Sequence, residues 1–300
     1  MGPDGLATVL RVGRLTSEGF DALEGRGGPV ARTESVVALG VGPCPLQPGI
    51  PAEANVTSVR NAPPLLGLGL IDSIPEDAIR RGAEAQGDGV HGRPSLSASP
   101  DGSARIGRFG WKAAVPTLEQ FVAEAFRNEH GITSPLAPTD LHPPPSQGTP
   151  RCAGDSDQVE DDGRLVQAVT AFVASLAAPQ PINGGEAGAA VFRRLGCVAC
   201  HTPSLPSDSG DLWLYSDLLV HDVGPALDDS MPQGDVGGRE WRTTPLWGLG
   251  SRPRLLHDGR ARTIPAAIMA HDGEAAQAVA QFRSLSPEER TQLMAFLASL

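Results

Sequence analysis

The chain has 300 residues with 36 Gly and 28 Pro, 40% hydrophobic content and only 8 Phe, 4 Trp and 1 Tyr, so something besides aromatic side chains has to fill its interior. Its formal charge of −11, with Lys112 the only lysine, argues against a nucleic-acid surface, which needs clustered Lys and Arg to neutralise phosphates. No apolar run reaches the roughly 18 residues of a membrane span, and four cysteines are too few for a disulfide framework at this length.

In chain order, residues 1–5 (MGPDG) show neither the basic nor the apolar region of a secretory signal. Residues 60–69 (RNAPPLLGLG) are echoed by 242–250 (RTTPLWGLG) with one residue fewer, an echo that fits either a duplication or chance similarity in a Gly/Pro-rich chain. Helical periodicity begins at 116–128, where Leu118, Phe121, Val122, Ala125 and Phe126 share a face after Pro116 and Thr117. The Pro-rich stretch 134–157 reads as a surface loop. A second helix is expected over 162–177, with Leu165, Val166, Val169, Phe172 and Val173 on one face. The Ala/Pro/Gly junction at 177–185 then separates a loop-rich part from a compact segment, giving domains 1–182 and 183–300. A third helix, 186–196, runs into Cys197. The Gly/Asp/Pro-rich stretch 225–240 reads as another surface excursion. The last helix, 287–300, opens with Ser286, Pro287 and Glu289 in a capping-box pattern and presents Leu293, Met294, Phe296, Leu297 and Leu300.

The string Cys197-Val198-Ala199-Cys200-His201 carries the chemistry. C-x-x-C-H is the attachment pattern of c-type haem: two thiols add to the porphyrin vinyl groups and the adjoining imidazole coordinates iron. A structural zinc site would need a second ligand pair, whereas Cys44 and Cys152 stand alone. A redox dithiol would follow a strand and open a helix, but here a helical stretch precedes the pair. The second axial ligand could come from His221, His257, His271, Met231, Met269 or Met294. Met294 belongs to a core face and His221 reads as a local hydrogen-bonding residue, which leaves His257, Met269 and His271.

Residues 215–224 (YSDLLVHDVG), 240–248 (EWRTTPLWG), 256–261 (LHDGRA) and 271–275 (HDGEA), with 60–75 and 107–112 upstream, resemble the di-haem oxidoreductase, putative peroxidase family. That family, also known as thiol oxidoreductases, is related to bacterial di-haem cytochrome c peroxidases and MauG. The resemblance implies a mainly α, loop-rich fold with two cytochrome c-like domains, the first incomplete because no C-x-x-C-H precedes Cys197. An early stretch, 9–15, resembles a segment lying beyond the family's first motif, so the chain is expected to begin late. In related peroxidases a His-Asp-Gly segment precedes the distal ligand by fourteen positions, which from His257 favours His271, with Met269 as the alternative.

The resemblance further implies one haem c in this chain and a second in the intact protein, and it adds calcium as an ion bound by relatives. Arg242, Trp247, Asp258 and Arg260 are expected around the haem, and His130 could face the missing one. The expected activity is peroxidase-like electron transfer in the periplasm or another exported compartment, with a redox partner protein or small electron donor and with peroxide as substrate. The competing expectation is an electron carrier without catalysis, and a weaker one is a partner-binding module. Cys44 and Cys152 could pair in an oxidising compartment. The incomplete first half should expose apolar surface where its own haem belongs.

Overall fold

The computed structural model describes residues 8–32, 49–87, 89–98, 102–141, 158–180, 185–208 and 210–300. Cys44 and Cys152 lie outside these residues, and the pairing expected of them lies outside too. Strands β1 (Thr8–Thr16), β2 (Gly19–Asp21) and β3 (Val56–Asn61) are followed by helices α1 (Leu68–Asp72) and α2 (Glu76–Glu84) and by the hairpin of β4 (Leu96–Ala98) and β5 (Ala104–Ile106). Helix α3 (Leu118–Ala125), which runs on into a π-helical turn at Phe126–His130, precedes α4 (Arg164–Ser175) and α5 (Glu186–Arg194). Then come β6 (Leu205–Ser207), β7 (Gly210–Leu212), β8 (Val220–Asp222), β9 (Glu240–Arg242), α6 (Ile264–Ala270), α7 (Ala276–Arg283) and α8 (Pro287–Ser299). Helix outweighs strand among the described residues, and long connections join the two.

Two compact units emerge, one of Met1–Ala62 with Glu119–Ala171 and one of Pro63–Leu118 with Phe172–Leu300. The first holds the antiparallel sheet β2-β1-β3, in which Val12 stands opposite Thr57 and is fully buried. Periodicity did not announce this sheet, because β1 (TVLRVGRLT) has no clean two-residue alternation. His130, at the end of the π-helical turn, is exposed.

In the second unit the 225–240 stretch departs from the expected surface excursion. Leu227, Met231 and Val236 in it are buried, and Lys112 Nζ donates to the carbonyls of Gly237 and Gly238 at 2.8 Å and of Glu240 at 2.7 Å. One buried ammonium thus replaces the hydrogen bonds that water would otherwise supply to this loop. Helix α4 departs as well. Val166 and Val173 are buried, but Leu165 and Phe172 of the expected apolar face are 45% and 63% exposed. Helix α8 follows its sequence closely: Ser286 Oγ accepts from the Glu289 N–H, Glu289 returns the bond, and Leu293, Phe296, Leu297 and Leu300 are buried.

The two echoing segments are equivalent in three dimensions. Gly67 and Gly248 both take left-handed backbone, and each donates its N–H to a carbonyl at the end of a long helix. Gly67 reaches Leu176 beyond α4 at 2.9 Å, and Gly248 reaches Leu300 beyond α8 at 2.7 Å. Two residues later a Cβ at Gly69 would stand 2.5 Å from the Ala174 carbonyl oxygen, and one at Gly250 would stand 2.4 Å from that of Ala298. A later pair of loops matches too. Phe109 N–H donates to Val115 at 3.0 Å and Leu255 N–H to Ala261 at 2.9 Å, with positive φ at Gly110 and Leu256 and again at Ala113 and Gly259. Matching hydrogen bonds in matching register at separate places make the two segments structural counterparts.

Candidate functional site

The site begins where α5 crosses α8. A Cβ at Gly188 would lie 2.1 Å from the Gln292 carbonyl oxygen, so only glycine lets the two backbones approach this closely. Beside that contact Phe192 meets Phe296 with ring centroids 5.5 Å apart, and Tyr215 closes the triangle at 6.1 and 5.8 Å. These rings belong to the apolar cluster that also contains Val191, Leu195, Leu249, Leu255 and Leu293. Helix α5 stops at Gly196 in left-handed backbone, and the chain tightens into a 3-10 turn over Cys197–Ala199. His201 N–H donates to the Cys197 carbonyl at 2.9 Å, which ties the histidine to the cysteine turn.

Both Cys197 and Cys200 are free thiols, and burial pushes the Cys197 thiol up to about 12. His201 donates its Nδ1 proton to the Tyr215 carbonyl at 2.9 Å. A carbonyl can only accept, so this bond fixes the tautomer and leaves the Nε2 lone pair available. Tyr215 itself has φ of 53°, a strained conformation at the residue whose carbonyl orients the ring. His271, at the C-terminus of α6, repeats the arrangement: its Nδ1 donates to the Ala267 carbonyl at 2.7 Å. Burial lowers both imidazoles, His201 to about 4, and His271 lies close enough that its charge would lower His201 further. Two neutral histidines with free Nε2 atoms therefore stand near each other beside two thiols.

Next to Cys200 lies an ionised cluster. His221 is 2% exposed, with Nε2 donating to Asp217 at 2.9 Å and Nδ1 donating to Glu274 at 2.8 Å; Cys200 Sγ is 3.5 Å from the same Nδ1. Burial alone would lower this imidazole, but the bonds to Asp217, Cys200 and Glu274 outweigh it and push His221 up to about 12. With both ring nitrogens protonated and engaged, His221 has no lone pair for a metal, as its reading as a hydrogen-bonding residue requires. Gln86 Nε2 donates to Asp217 at 3.1 Å, and the N–H groups of His91 and Asp222 donate to Glu274 at 2.9 and 3.1 Å. Asp217 and Glu274 lie within the 215–224 and 271–275 strings, but their pairing with His221 joins positions up to 53 apart and leaves no local signal.

The other expected residues divide. Arg242 is buried and donates from Nε to Gly110 at 2.8 Å, and Trp247 is buried against Gly67. Asp258 and Arg260 pair with each other, and Arg260 also donates to the Ala226 carbonyl at 2.7 Å. His257 stacks on Trp241 at 3.7 Å, with Lys112 over a face of the same indole at 3.4 Å. Met269 is 39% exposed, Met231 is buried in the 225–240 stretch, and Met294 packs partly buried on the α5/α8 core.

A haem fits this donor set, which offers two thiols, two neutral imidazoles with free Nε2 atoms and an aromatic wall, with Arg242 Nη1 left buried and without a partner. Among the described residues no group of three or more His, Cys, Asp or Glu side chains could hold a metal ion on its own, and no helix is long and apolar enough to cross a membrane.

Comparison with known proteins gives one broad match. A family model described as "Di-haem oxidoreductase, putative peroxidase" matches residues 52–300. No curated protein sequence matches the chain. Among solved structures, the xenon-pressurised hydrazine synthase of Kuenenia stuttgartiensis is similar at 20% identity and a TM-score of 0.35, over 48% of this chain and 57% of that one. The chain thus spans just over half the length of that structure.

Proposed function

Because the chain belongs to the di-haem oxidoreductase, putative peroxidase family, we propose that its haem-based redox role is electron transfer through a covalently attached haem c in a peroxidase-like oxidoreductase. The observation that carries this reading is the pair His201 and His271, each giving its Nδ1 proton to a backbone carbonyl and keeping Nε2 for iron. Cys197 and Cys200 would form the thioethers to the haem, and His201 would be the first imidazole ligand to its iron and His271 the second. Met269 is the weaker candidate because its side chain is exposed. When bound, the haem supplies a reversible one-electron change at iron.

The chain's own residues set the conditions for that change. The Tyr215 carbonyl fixes the rotation of the His201 ring, and Phe192, Tyr215 and Phe296 exclude water beside it. Asp217 and Glu274 hold a positive charge on His221 next to Cys200. The matching glycine loops on α4 and α8 support a reading as two cytochrome c-like domains, in 1–182 and 183–300. Covalent haem attachment implies export, to the periplasm or an equivalent compartment. A redox protein or small donor supplies electrons, and peroxide is the expected acceptor.

A second reading, an electron carrier without catalysis, is favoured by the same two preset imidazoles, since two histidines on iron leave no position for peroxide. Visible spectra of the haem-loaded chain with and without peroxide test both. A spectral response to peroxide supports the peroxidase-like reading, a low-spin spectrum that never changes supports the carrier, and haem lost on denaturation overturns covalent attachment.

A further inference from the structure

The short hairpin of β6 and β7 turns one face outward beside the candidate haem site. Leu205, buried, stands opposite the half-buried Leu212, so the alternation of an extended chain sends Asp211 and Trp213 to the other face. Pro206, opposite Asp211, is exposed there too. Trp213 is 57% exposed, whereas Trp241 and Trp247 are buried. A lone exposed apolar side chain is ordinary, but this one has a particular place. Two residues on, the Tyr215 carbonyl accepts the His201 Nδ1 proton at 2.9 Å, and the Tyr215 N–H is tied back to the Pro203 carbonyl at 3.2 Å. Two residues of backbone and one hydrogen bond thus join the indole to the imidazole.

Charge indicates the kind of partner. From Leu205 to Trp213 the only ionisable side chains are Asp208 and Asp211, both exposed, in a chain of net charge −11. Helix α2, which packs on β6, pairs its Arg80 and Arg81 with Asp77 at 2.7 and 3.0 Å and so adds no net positive charge. Arg193, at the end of α5, is near enough for its charge to act on the Tyr215 hydroxyl, which bounds the acidic face on that side. An aromatic anchor among like charges suits transient docking, because the ring contributes buried area while the charges steer approach and fix register. We propose that the outer face of the β6/β7 hairpin, centred on Trp213, docks a basic electron-donor protein, which passes its electron along the backbone between Trp213 and His201. The donor loses one electron and the haem iron gains it, with no bond formed or broken. The electron path rests on the functional reading above, and the docking face does not.

The probe is a lysine-rich cytochrome c in its reduced form, with the same protein succinylated on its lysines as the acidic counterpart. Binding to the haem-free full chain is read from tryptophan fluorescence, which the haem of the probe quenches. The expected result is saturable binding of the basic form with a Kd of roughly micromolar order, weakening at least about tenfold between roughly 10 mM and 150 mM salt, and no binding of the succinylated form. Trp213→Ala and Asp211→Lys, both at exposed positions, each weaken binding at least about tenfold. Glu18→Lys, the same charge change at an exposed turn between β1 and β2, leaves binding within about twofold. Equal binding of the two probe forms, a loss with Glu18→Lys as large as with Asp211→Lys, or binding unaltered in both hairpin variants overturns the docking face. In the haem-loaded chain the hairpin variants slow reduction by the probe at least about tenfold and leave reduction by dithionite unchanged; an equal slowing with dithionite overturns the electron path. Binding in the expected pattern without any electron transfer in the loaded chain refutes the functional reading and the path, while the docking face stands.

Discussion

Helices α4 and α8 receive their glycine loops in the same register, yet their far faces differ. Phe296 stands two residues before Ala298 and is buried against Phe192 and Tyr215, whereas Phe172 stands two residues before Ala174 and is 63% exposed. The difference is α5, which crosses α8 at Gly188 and carries the cysteine motif at its end. Docking of the loop therefore does not depend on the helix that ends at the cysteine pair, while burial of the aromatic face does. A shortage of apolar material, visible in the composition, is thus relieved in one half and persists at Phe172 in the other.

Removing the cysteine pair, which is unique to the second half, has the largest expected effect. Replacing Cys197 and Cys200 together by Ser should eliminate haem that survives denaturation, read by pyridine haemochrome absorption; retained haem would mean the motif is not the anchor. Next in size, Phe296→Ala should cost about 3–5 kcal/mol in urea denaturation because it empties a packed aromatic cluster. Phe172→Ala should cost under about 0.5 kcal/mol because its side chain faces water. Equal costs would refute the asymmetry.

Smaller substitutions sharpen the equivalence itself. Gly69→Ala and Gly250→Ala each push a Cβ onto a helix carbonyl, so each should cost about 1–3 kcal/mol. A cost at one site only would break the match between the halves. The last test is read as a pH slope and concerns His221. Its folded pKa, raised to about 12, exceeds the unfolded value of 6.5, so its stabilisation is fully present below 6.5 and is lost as pH rises toward 12. Between about pH 7 and about pH 10 the haem-free chain should therefore lose stability with rising pH through this group. His221→Gln should flatten that slope; an unchanged slope would show that the charge lies elsewhere.

Legibility followed the range of the interactions. The capping box and apolar stripe of α8, and the cysteine–histidine string, are local patterns and were readable. The apolar face assigned to α4 misled because periodicity shows that a face is apolar, not that a partner exists to cover it. The packing of 225–240 depended on Lys112, more than a hundred residues away, and composition alone read it as surface. The His221 cluster is likewise assembled from distant segments. His271 could be favoured from a resemblance, but the Ala267 carbonyl that sets its tautomer required the fold.

In the proposed function His201 and His271 would both ligate the iron of one haem anchored by Cys197 and Cys200. Electron paramagnetic resonance of the oxidised, haem-loaded chain tests it most directly, with His271→Ala beside the unaltered protein. The expected result is a low-spin signal in the unaltered protein and a high-spin signal in the variant; an identical low-spin signal in both would contradict the shared ligation.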